Sequence, residues 1–93
     1  MKLALKILVG VAAVLPQALA AQDTVGIAGQ EQACAGEYGM MLDVPMSEIR
    51  VNGHDESPAG NTIVFLQTAD DAHSANCEVD DYGNIVAIER TRD

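Results

Sequence analysis

The sequence has no tryptophan, and its aromatic complement is two tyrosines and one phenylalanine among 93 residues. So little ring surface excludes a sugar-stacking platform and leaves few anchors for a large aromatic interface. Basic residues are almost as scarce, five Lys and Arg against 14 Asp and Glu. A surface of that sign repels phosphate, which excludes nucleic acid and anionic membranes as partners, and it attracts a basic protein, a cationic ligand or a divalent metal. The apolar run at the start of the chain, Ile7 to Leu15, has nine residues, well short of the roughly 20 that cross a bilayer.

That run has the flanks of an export signal. Lys2 and Lys6 precede it, Pro16 breaks it, and Ala18-Leu19-Ala20 puts small side chains where a signal peptidase requires them. The order charged, apolar, small predicts a signal peptide over 1–20, cut after Ala20. No cysteine stands immediately after the cut, the first being Cys34, so a lipid-modified start is not expected. Both lysines leave with the signal, and Arg50, Arg90 and Arg92 then face all 14 acidic residues, a net charge of −11 with His neutral. The processed chain is expected in the periplasm or outside the cell, free of the membrane.

A chain of that size builds one domain with a small core, and such domains usually need a staple. Cys34 and Cys77 are the only cysteines. In an oxidising compartment they are expected to pair. Their spacing is unlike a close catalytic C-x-x-C, and no nearby Cys or His completes a thiolate metal site.

Residues 21–29 are small, polar and Gly-containing, which reads as a flexible lead-in to a domain over 30–93. From Gln30 to Leu42, Cys34, Tyr38, Met41 and Leu42 recur at helical offsets and predict one buried stripe, with Gly36 and Gly39 inside it. Pro45 ends that helix at or before Asp43. Ile49 to Glu56, Asn61 to Thr68, Ala75 to Asp80 and Ile85 to Arg90 read as strands between turn-rich breaks, the last two joined by Asp81-Tyr82-Gly83-Asn84. In the first strand, Ile49, Val51 and Gly53 alternate with Arg50, Asn52 and His54. Short connections predict an α+β fold: an N-terminal helix on a four-stranded antiparallel β-meander, clipped by one disulfide and preceded by the signal-peptide helix. Phe65 is expected in the core.

Three constellations bear on chemistry. His54, Asp55 and Ser57 are the residue types of a nucleophilic triad, but serial neighbours on a strand point to alternating faces, so a solvated hairpin end is expected there instead. Asp70, Asp71 and His73 in one loop, with Asp80 and Asp81 in the next, are oxygen-rich candidates for a hard cation, though without the spacing of a dedicated calcium loop. Met40, Met41 and Met46 with His54 or His73 are soft ligands that would suit copper, set against core filling by Met41. Tyr82, at a hairpin tip beside Asp80 and Asp81, is a candidate partner contact. No pattern calls for an organic cofactor.

The stretch Cys77-Glu78-Val79-Asp80-Asp81-Tyr82-Gly83-Asn84-Ile85-Val86 resembles the closing C-x-V-D-x-x-G-N-[IV]-V hairpin of small exported proteobacterial proteins of unknown function. That resemblance implies a periplasmic, disulfide-bonded α+β domain and brings no catalytic residue. The sequence therefore leads to the expectation of a non-enzymatic binding or accessory domain with an acidic surface. A divalent-cation binder is the alternative, and a hydrolase comes third.

Overall fold

In a computed structural model residues 23–92 are described; the expected signal peptide over 1–20 and the expected cut after Ala20 lie outside them. The described chain runs as helix α1 (Gly26–Leu42), a 3-10 turn (Met46–Glu48) and strands β1 (Ile49–Glu56), β2 (Thr62–Thr68), β3 (Ser74–Val79) and β4 (Ile85–Arg92). The strands form one sheet in the order β1-β2-β3-β4, with every neighbouring pair antiparallel. A meander of this kind needs only hairpin connections, which the turn residues between the strands supply.

The helix begins at Gly26 rather than at Gln30, so half of the expected lead-in is ordered. What holds it is tertiary. The Val25 N–H donates to the Asp81 carbonyl at 2.9 Å, and the Val25 methyls lie against Gly83. Gln30, only 4% exposed, adds a second tie: its Nε2 donates to the Asp80 carbonyl at 3.0 Å and its Oε1 accepts from Thr62 Oγ1 at 3.2 Å. A buried amide satisfied at both ends docks the helix start onto the β3–β4 turn and β2 at once. At the other end Asp43 takes the left-handed conformation at φ 60°, and the Val44 N–H donates to the Gly39 carbonyl at 2.9 Å. A Cβ at position 39 would lie 3.0 Å from the Val44 oxygen, so glycine there lets the chain reverse tightly before Pro45.

One face of the sheet packs on α1. The core joins Cys34, Ala35 and Tyr38 of the helix to Ile49, Val64, Leu66, Ala75, Cys77 and Val79 of the strands. Cys34 and Cys77 are disulfide-bonded with Cα atoms 6.0 Å apart, both wholly buried. The covalent clip therefore runs from the middle of the helix to the second-last strand.

Two expected core residues lie elsewhere. Met41 is 40% exposed, because the buried arc is centred on Tyr38 and Ala35 rather than on Cys34, and at about 100° per residue Met41 falls at its margin. Phe65 is half-buried on the sheet face away from the helix, since it alternates with Val64 and Leu66, which point inward. A β-bulge shifts the register between Val51 and Gly53. Beyond it Gly53 stands opposite Phe65 and His54 opposite Val64. His54 thereby turns to the helix side, and Gly53 to the open side, reversing the simple alternation expected for this strand.

Candidate binding face of the sheet

The acidic loops fall at opposite ends of β3. Asp70, Asp71 and His73 occupy the β2–β3 connection, Asp80 and Asp81 the β3–β4 connection. The six residues of β3 between them place the two groups roughly 20 Å apart. The five residues do not converge, and among the described residues no group of three or more His, Cys, Asp or Glu is placed to hold a metal.

Most of these carboxylates bond locally. Asp70 Oδ1 accepts from Thr68 Oγ1 at 2.7 Å and from the Ala72 N–H at 3.0 Å; the Thr68 bond chiefly, then the Ala72 one, holds its carboxyl below the ordinary range. Asp80 Oδ1 accepts from the Asn84 and Tyr82 N–H groups at 2.8 and 2.9 Å, and the Asn84 bond leads in lowering its pKa. Asp71 pairs with Arg50 at 2.7 Å and accepts from Gln67 Nε2. The bonds of Asp70 and Asp80 to nearby backbone N–H groups are turn-building bonds of the Asx kind. Tyr82 is 51% exposed at the hairpin tip, as a contact residue requires.

The serial His-Asp-Ser group disperses. His54 Nδ1 lies 3.4 Å from Glu31 Oε2 on the helix side, while Asp55 stands opposite Ile63 and accepts its neighbour's Glu56 N–H at 2.8 Å. Ser57 is buried at 4% exposure rather than solvated, with its Oγ accepting from the Asn61 N–H at 3.0 Å. Its hydroxyl closes the β1–β2 turn and meets neither His54 nor Asp55. Met40, Met41 and Met46 are all exposed, Met46 resting against Gly36 and Gly39 of the helix.

What the fold assembles instead is the sheet face turned away from α1, which no described element covers. Paired residues share a face, so the registers give its rows directly: Asp55, Ile63, Glu78, Ala87 across the four strands, then Gly53, Phe65, Asn76, Glu89, then Arg50, Gln67, Ser74, Arg92. Ile63, Asn76, Glu78, Ala87 and Glu89 line a hollow of about 120 Å³. It exists because Ala87 and Asn76 are short while the residues directly opposite them, Glu78 and Glu89, are long. Asn61 Nδ2 donates to Glu78 Oε2 at 3.0 Å and steadies that carboxylate. A second concavity of about 320 Å³ runs between α1 and β1, lined by Ala28, Glu31, Gln32, Ala35, Met46, Ile49 and Val51. Its one carboxylate, Glu31, already faces His54.

Neither Glu78 nor Glu89 stands out in the sequence, because Glu78 lies between Cys77 and Val79 and Glu89 beside Arg90, with no adjacent acidic residue to mark either. The signal that finds them is cross-strand: given the hairpin at Asp81 to Asn84, Glu78 and Glu89 fall on one face. Comparison with known proteins adds nothing to this geometry: no family model, no curated protein and no solved structure matches the chain.

Proposed function

We propose that the chain is an exported, non-enzymatic binding or accessory domain, resident in the periplasm or outside the cell, whose acidic surface engages a basic protein or cationic ligand. The observation that carries this reading is the distribution of charge. The carboxylates of Asp70, Asp71 and Asp80 are engaged within and beside the loops, while Asp55, Glu78 and Glu89 lie on a face that no described element covers. The buried Cys34–Cys77 bridge supports export, because such bonds persist in oxidising compartments. With a net charge near −11 after processing, long-range attraction raises encounter rates with cations and weakens steeply with salt.

The test is to express the chain with its own leader in a bacterial host and recover it from the periplasm. Its intact mass should be that of residues 21–93 with one disulfide. It should then bind a short peptide alternating arginine and leucine at low ionic strength, release it at about 1 M salt, where the Debye length is near 3 Å, and ignore the glutamate–leucine counterpart. Equal binding of both peptides, or of neither, would remove this reading.

A further inference from the structure

The hollow on the open sheet face has a shape and charge that select among cationic partners. Glu78 and Glu89 are diagonal neighbours on β3 and β4, a relation that puts Cα atoms about 7–8 Å apart. Between them Ala87 and Asn76 leave space, and Ile63 closes the β2 side. Phe65, opposite Asn76, continues the apolar floor toward Gly53. Arg50 and Arg92 stand on the next row of this face, where Asp71 engages both, Arg50 through its carboxylate and Arg92 through its carbonyl; His54 contacts Glu31 on the helix side.

The geometry points to a docking site for an extended basic segment of a partner protein, with one arginine or lysine head between Glu78 and Glu89 and its aliphatic stem on Ile63 and Phe65. This inference rests on the acidic-binding reading above and gives it an address. Long basic side chains lay their methylenes on apolar surface while the charged end meets carboxylate, which is the combination this face offers. A second copy of the chain is disfavoured by the net charge near −11 that each processed copy carries.

The oxidised chain, isotopically labelled and recovered from the periplasm, is titrated with the arginine–leucine peptide and followed by amide NMR shifts. Shifts should concentrate at Ile63, Phe65, Asn76 and Ala87. An exposed charge contact contributes about two- to fivefold in affinity, so the double variant Glu78→Gln, Glu89→Gln should bind about tenfold more weakly with an unchanged melting temperature. Removing the same charge elsewhere, by Glu37→Gln and Glu48→Gln, should change binding less than about twofold on the same scale. Equal losses from both double variants would overturn the docking site while leaving the acidic-binding reading intact. Spermidine bound as tightly as the peptide would also overturn it, because the apolar floor would then contribute nothing. Absence of peptide binding by the unmodified chain would sink that reading and this inference together.

Discussion

Replacing both cysteines by alanine tests the staple on which so small a domain depends. Cys34 and Cys77 are 43 positions apart, and closing a loop of that length in the unfolded chain amounts to about 4 kcal/mol in the chain-entropy description. Against that stands a total stability of about 0.05–0.15 kcal/mol per residue, or roughly 4–10 kcal/mol for some 70 ordered residues. Both sulfurs are also fully buried among Tyr38, Val64 and Val79, so their removal leaves unfilled space that adds to the loss. The double variant should therefore lose at least about 4 kcal/mol, equivalent to a melting temperature lower by about 16 °C or more, and be partly unfolded at 37 °C. Urea titration followed by far-UV circular dichroism, oxidised parent beside double variant, reads this directly. A loss below about 1 kcal/mol with an unchanged denaturant slope would refute the reasoning, since a constraint on the unfolded ensemble must appear in the midpoint.

Three further outcomes follow from named residues. Gln30→Leu should cost about 1–3 kcal/mol in urea titration, because the Asp80 carbonyl and the Thr62 hydroxyl lose their partner in a buried setting; a neutral result would show that water replaces the amide. Gly53→Ala should cost about 1–3 kcal/mol, since φ is 139° at the bulge, a conformation that side chains rarely adopt; the same titration checks it, with Gln32→Ala, an exposed helix position, as a surface control. Asp70 and Asp80 have carboxyls held below the ordinary 3.8. Their contribution is present above the unfolded pKa and lost as pH falls through the folded one, so the urea midpoint should drop below about pH 4. In Asp80→Asn that drop should be smaller, and an identical profile would show that the turn bonds to Asp80 do not favour its charged form.

The open face was legible only in part. A β-rich run in β2 and alternation in β3 revealed strands, but the side each residue faces depends on register, and register depends on turns and bulges that involve two strands at once. Phe65 illustrates the point: in sequence it sits in the apolar run Ile63-Val64-Phe65-Leu66, where nothing separates the inward set from the outward one. Met41 is the helical counterpart: Cys34, Tyr38 and Leu42 of the expected stripe meet the sheet, while Met41, at the margin of the same arc, stays exposed.

Local rules alone determined the helix end before Pro45, the four strands, the hairpin at Asp81 to Asn84 and the pairing of two lone cysteines, because each is set by short-range sterics or by having no alternative partner. Tertiary packing decided the rest: the start of α1 at Gly26, through Val25 and Gln30 reaching the β3–β4 turn; the inward swing of His54, through a bulge; and the meeting of Glu78 with Glu89. Those features join residues up to 56 positions apart, and no periodicity within a segment encodes which distant backbone it will meet.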